Sequence, residues 1–139
     1  MGRKIIQGEL PQPPVSRLIG FRLVAIEPGT AVMEMEASED HANPMGTLHG
    51  GILCDLADAA MGLAYASTLK AGESFATLEL KINYIRPFWT GHLEAIGKVV
   101  HGGRSVGLTE CDVKDGTGDL IARATSTCMT LRDEQARGR

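Results

Sequence analysis

His41-Ala42-Asn43-Pro44-Met45-Gly46-Thr47-Leu48-His49-Gly50-Gly51 runs directly into Ile52-Leu53-Cys54-Asp55-Leu56-Ala57-Asp58. The first stretch is polar and glycine-rich. The second is apolar apart from two aspartates. These residue types suffice for acyl transfer: an Asn or His to polarise a carbonyl, free amides to stabilise developing negative charge, and a carboxylate as base. Gly50 and Gly51 open the apolar segment, where the first amides of a helix have no intrahelical acceptor. Their missing side chains let a substrate approach the backbone. An ionised carboxylate is costly to bury without a partner, so Asp58, within Leu56-Ala57-Asp58-Ala59-Ala60-Met61, is either a solvent-facing charge or a functional group. Asp55, one turn earlier, also suits the favourable interaction of an acid with a helix N-terminus.

Each further candidate has a plainer alternative. Asn43 stands before a proline, where Asn commonly closes a turn on its own backbone. His49 at the helix start can be held by a backbone hydrogen bond. Cys54 fits core packing better than a nucleophile, and the cysteines (Cys54, Cys111, Cys128) are scattered with no CxxC or Cys/His cluster for zinc. In Thr77-Leu78-Glu79-Leu80-Lys81-Ile82-Asn83-Tyr84, alternation puts Leu78, Leu80, Ile82 and Tyr84 on one face and Thr77, Glu79, Lys81 and Asn83 on the other. Arg86, Arg104 and Ser105 are polar residues beside turns. His41, His92 and His101 show no metal spacing and are expected at the surface or in structural roles.

The elements that must position these groups follow from periodicity. The spacing predicts a helical turn over 15–19, strands over 21–26 and 31–37 joined at Pro28-Gly29, and a loop over 38–48. A helix follows from about Gly50 to Leu69, stopping near Ala71-Gly72. Strands are expected over 74–85, 92–100, 105–114 and 119–131, with Asp115-Gly116 a hairpin turn signal. Two strands, one long helix and four strands imply an α+β domain in which an antiparallel sheet of about five to six strands wraps a central helix. The expected organisation is an arm over 1–14, one domain over 15–132 and a polar tail over 133–139.

Composition narrows the function classes. With 139 residues, 43% of them hydrophobic, the chain has material for one well-packed domain. A net charge of −3 gives no footprint for nucleic acid. Scattered cysteines favour a reducing, cytoplasmic setting, and the first residues lack the apolar run of a secretory leader. The apolar run from Gly50 to Leu69 is nearly long enough to span a bilayer, but its aspartates make a lipid-facing helix costly. No membrane association is therefore expected.

The string H-x-N-x-x-G-x-x-H-G-G, with Asp58 nine residues after His49 and Asn43 six before it, resembles the signature of hotdog-fold acyl-CoA thioesterases of the phenylacetate-pathway (PaaI-like) type. The resemblance covers roughly residues 15–131. It implies a hotdog fold and hydrolysis of an acyl-CoA thioester without metal or redox cofactor, coenzyme A arriving as part of the substrate. It also implies site roles. The Gly50 amide polarises the thioester carbonyl, Asp58 is base or nucleophile, and Asn43 and His49 lie at the thioester. Thr77 orients water. Gly51, Asn83, Arg86, Arg104 and Ser105 are substrate- or CoA-binding candidates. The same resemblance implies a site shared between two subunits, with a homodimer as the minimal unit and a homotetramer common. Leu18, Phe21, Met45, Met61, Tyr65, Phe88 and Trp89 are candidate acyl-tunnel residues. Two other readings remain: a hotdog hydratase or dehydratase using His49 or Asp58 for proton transfer at carbon, and a non-catalytic acyl-CoA-binding domain.

Overall fold

The computed structural model describes all residues, Met1–Arg139. Its element order is α1 (Gly2–Ile6), α2 (Pro14–Ile19), β1 (Phe21–Glu27), β2 (Thr30–Ala37), α3 (Gly50–Ala66), β3 (Ser74–Tyr84), β4 (Gly91–Gly102), β5 (Val106–Asp115) and β6 (Leu120–Leu131), with short 3-10 turns at Glu39–His41 and Asp133–Ala136. The six strands form one antiparallel sheet in the order β1-β2-β4-β5-β6-β3. The α3 helix packs against every strand on one face of this sheet. This is the sheet-around-helix architecture expected of a hotdog fold.

Alternation in the strands builds the core. Met33 and Met35 of β2 point inward with Leu93 and Ala95 of β4, while Glu34 and Glu94 pair directly across the outer face. From the helix, Leu53, Leu56, Ala57, Ala60, Met61 and Ala64 fill the concave side. Small residues allow close approach. A Cβ at Gly97 would lie 2.4 Å from the backbone carbonyl of Ala60, so β4 and α3 meet backbone to backbone. At the β5–β6 turn the Asp115 carboxylate accepts from the Thr117 and Asp119 amides, and Gly118 takes a positive φ of 87°. This turn stands where the Asp-Gly signal predicts it.

Two expectations need correction. The helix ends at Ala66 rather than Leu69, because hydroxyls terminate it: Ser67 Oγ donates to the Ala64 carbonyl and Thr68 Oγ1 to that of Tyr65. Strict alternation also fails in β3. Thr77 pairs with Cys128 and Glu79 with Thr127, leaving Leu78 in a bulge. The extra residue reverses the parity of the strand. Phe75 and Thr77 face the helix, as do Leu80 and Ile82 beyond the bulge, while Leu78 is exposed. Thr77 thus lies on the opposite face from Glu79, Lys81 and Asn83, against the simple period-two reading.

Residues 1–14 hold a short helix as well as prolines. Ile5 is buried, and α1 packs on β1 closely enough that a Cβ at Gly2 would lie 2.7 Å from Ile26 Cδ1.

Candidate active site

The loop before α3 is folded by its own polar groups. Asn43 Oδ1 accepts from the Met45 and Thr47 amides at 2.9 and 3.2 Å, and Asn43 Nδ2 donates to Thr47 Oγ1 at 2.7 Å. Asn43 is therefore the organiser of a turn, with one Nδ2 hydrogen left over after Thr47 takes the other. His41 caps the preceding 3-10 turn: its Nδ1 accepts from the Ser38 amide, so Nε2–H donates to the Ile19 carbonyl at 2.7 Å. Backbone bonds from His49 N to His41 O and from Leu48 N to Phe88 O pin the end of the loop.

His49 is the N-cap of α3, its Nδ1 accepting from the Gly51 amide at 2.9 Å. That contact occupies the Gly51 N–H, so of the two glycine amides only that of Gly50 is left without an acceptor in the chain. Tyr84 lies across Gly50: a Cβ there would sit 2.7 Å from its Cζ and Oη. Tyr84 Oη is 3.4 Å from Cys54 Sγ, and that hydrogen bond, with partial burial, pushes the phenol up to about 12. Asn43, Thr47, Gly50, Tyr84 and Arg86 line one groove at this helix end, with Arg86 paired to Asp119 at 2.9 Å.

The second cluster lies two turns along the helix. Thr77 Oγ1 donates to Asp58 Oδ1 at 3.0 Å. Asp55 and Asp58 are both exposed in the single chain and form an acidic stripe on an open helix face. Partial burial, and then the Asp58 charge, raise the Asp55 carboxyl from its ordinary value. An open groove bordered by Cys54, Leu78, Glu79 and Leu80 runs past Asp55, Asp58 and Thr77. The same three polar residues form one end of an apolar cavity of about 460 Å³ that reaches under the N-terminal segment.

The structure thus gathers Asn43, Gly50 and Arg86 at one place and Asp58 and Thr77 at another. Gly50 and Asp58 are eight residues apart on one helix, about 12 Å along its axis at 1.5 Å per residue. Within one chain they cannot act on one carbonyl. Asn83 is exposed on the solvent side of β3 and borders neither groove. Arg104 and Ser105 sit at the β4–β5 turn, where the Arg104 carbonyl and Ser105 hydroxyl accept from Arg132. That turn adjoins the C-terminal half of α3, since Gly107 packs on Tyr65, so it is remote from Gly50. Of the tunnel candidates, the buried Phe21 lines the apolar cavity and Phe88 the Gly50 groove, whereas Met61 and Tyr65 are buried away from both and Leu18, Met45 and Trp89 are exposed outside them. Sequence reasoning did not single out the Tyr84 ring over Gly50 or the apolar Ile5 and Leu10 on the cavity wall. The pattern of Ile5, Ile6 and Leu10 among polar residues is the only sequence trace of the latter.

Comparison with known proteins shows the family. The family model described as thioesterase superfamily matches residues 45–122. Human acyl-coenzyme A thioesterase 13 is 30% identical over 90% of this chain and 91% of its own length. The 1,4-dihydroxy-2-naphthoyl-CoA hydrolase of Listeria monocytogenes is 30% identical over 78% of this chain and 89% of its own. Among solved structures, the phenylacetic acid degradation protein PaaI from Thermus thermophilus superposes with a TM-score of 0.78 at 30% identity, over 84% of this chain and 98% of that one. No helix of the structure is long and apolar enough to cross a membrane.

Proposed function

This chain belongs to the thioesterase superfamily and is a thioester hydrolase, and from that premise we propose that it hydrolyses an acyl-CoA thioester to the free acid and CoA at a site built around Asp58. The carrying observation is the Thr77 hydroxyl on the Asp58 carboxylate, at the point where the open groove meets the apolar cavity. Asp58 acts as general base on a water, or attacks the carbonyl directly as nucleophile. In the first route the water oxygen bonds to the thioester carbon and its proton passes to Asp58. The tetrahedral oxyanion then collapses and the C–S bond breaks with its electron pair on sulfur. Thr77 fixes the carboxylate, and the free Gly50 amide, at the positive end of the helix dipole, receives the oxyanion. His49 keeps Gly51 capped and so aims Gly50; Asn43 shapes the loop and offers its spare Nδ2 hydrogen. A thiolate leaves readily, so the reaction calls on no metal or redox group.

The separation of Gly50 from Asp58 supports a homodimer as the working unit, with the Gly50 groove of one subunit facing the Asp58 groove of its partner. Pairs of such dimers give the homotetramer. The β3 strand is a sheet edge, and Leu78 and Tyr84 are exposed along it, with Ile85 exposed just past its end, which suits pairing with a second copy. Arg86 is placed to meet phosphate at the mouth of the Gly50 groove. The net charge of −3 disfavours an acidic carrier protein and so favours CoA as the thiol. Three free cysteines fit a cytoplasmic, reducing setting.

The test is thiol release from acyl-CoA thioesters by the wild type and by Asp58→Asn. General-base assistance is worth about 10²–10⁴ in rate, so the folded variant should lose at least a hundredfold in kcat. Unchanged turnover would remove Asp58 from the mechanism and move the role to Asp55 or His49. Hydration of an enoyl thioester without thiol release would establish the hydratase alternative instead.

A further inference from the structure

Building on the thioesterase reading, we propose that the cavity beneath the N-terminal segment holds the acyl group, and that the substrate class is an unsubstituted alkanoyl chain of medium or greater length rather than a single-ring aryl group. The cavity has the right connection. Asp55, Asp58 and Thr77 form its polar end and also border the open groove outside. A thioester carbonyl at Asp58 therefore sends its acyl group inward and its thiol moiety outward.

The walls set the chemistry of what enters. Phe21 and Met33 come from the sheet, Leu63 from α3 and Phe75 from β3, while Ile5 and Leu10 of the N-terminal segment form the roof. Away from the Asp55–Asp58–Thr77 end, only Ser16 and Gln12 bring polar side chains to the wall. A ring bearing several hydroxyls would leave some of them without partners there, at about 1–3 kcal/mol for each buried and unsatisfied group. A flexible methionine adapts to an irregular alkyl chain. Size points the same way. A cavity of about 150 Å³ suffices for benzene, and this one is about 460 Å³, roughly three times that volume. Benzoyl would leave most of it empty.

The roof is packed on the sheet through Ile5 and α1. Ile5 is buried, and α1 is held against Leu23 and Ile26 of β1. The length of the acyl chain is therefore read partly by residues outside the loop and helix that carry Asn43, Gly50 and Asp58. Ala59, half-buried beside Asp58 on α3, lines the same space, and a larger side chain there would shorten it.

The experiment is kcat/KM across saturated acyl-CoA esters from acetyl to hexadecanoyl, with benzoyl-CoA and a dihydroxybenzoyl-CoA alongside. The full-length wild type is compared with Ala59→Leu and Ile5→Ala. In the wild type kcat/KM should climb by about fourfold for each added methylene that is buried, pass its benzoyl value by octanoyl, and then level off. Ala59→Leu should move the plateau to shorter chains and Ile5→Ala to longer ones. Opposite shifts from a filling and an emptying substitution are not produced by general destabilisation. A flat length series, a preference for either aryl ester, or a length profile unmoved by both variants overturns the proposal. If hydrolysis is flat with length but still lost in Asp58→Asn, the acyl assignment falls and the thioesterase site stands. If no ester is hydrolysed, both fall.

Discussion

Thr77→Val isolates a single interaction in the proposed site. The substitution keeps the branched shape of the side chain and removes the hydroxyl that donates to Asp58 Oδ1 at 3.0 Å. A hydrogen bond to a charged acceptor is worth about 1.5–3 kcal/mol. Asp58 is exposed in the chain, so water replaces part of what is lost and the lower end of that range applies. About 1.4 kcal/mol corresponds to a tenfold loss of rate. We therefore expect kcat to fall about tenfold, with KM for the acyl-CoA little changed, because Thr77 positions the carboxylate and is not needed to hold the thiol moiety. Thr77→Ser restores the hydroxyl and should recover most of the rate. Initial rates of thiol release give both parameters, and thermal melts show that folding is preserved. Equal kcat in the wild type and Thr77→Val would refute the positioning role. So would Thr77→Ser as slow as Thr77→Val, since Ser keeps the hydroxyl that Val lacks.

Gly50→Ala should leave stability unchanged or slightly higher, since Ala is favoured in helices by about 1 kcal/mol and the Tyr84 ring it meets at 2.7 Å is half-exposed and free to swing away; its kcat should nevertheless drop about a hundredfold by obstructing the proposed oxyanion site, and wild-type turnover would argue against that site. Gly97→Ala places a Cβ 2.4 Å from the Ala60 backbone, which has no side-chain freedom to yield, so urea unfolding should show a loss of at least about 1–3 kcal/mol; a midpoint equal to wild type would contradict the backbone contact. Asp55 binds its proton more tightly in the folded chain, for reasons of burial and then the Asp58 charge, so the stability it brings is full below the ordinary carboxylate value of 3.8 and is lost as pH rises through the raised folded value. Asp55→Asn should accordingly stabilise at pH 7 by roughly 0.2–0.5 kcal/mol, the cost of a like-charge pair one turn apart, and the gain should vanish near pH 3; a gain that persists in acid would assign it to another cause.

The element order and the loop-to-helix junction were legible in the sequence because they rest on local rules. Alternating Met and Glu in β2, Pro28-Gly29 and Asp115-Gly116 at turns, and glycines opening an apolar run each constrain their own neighbourhood. The motif string singled out Asn43, His49, Gly50 and Asp58 as candidates by chain position alone. Their partners were decided in three dimensions. Thr77 reaches Asp58 only because one extra residue bulges at Leu78, and a bulge follows from the pairing of β3 with β6, which period-two counting cannot see. The Gly51 amide is spent on His49, and Tyr84 closes over Gly50 from a strand 34 residues further along the chain. The apolar cavity draws its walls from the N-terminal segment, three strands and the helix, so no window of sequence contains it. Sequence by itself set the chemical inventory and the local geometry, which depend on neighbours a few residues away. Tertiary structure alone decided which groups meet and which helix face stays open, because those depend on the register and packing of segments distant in the chain.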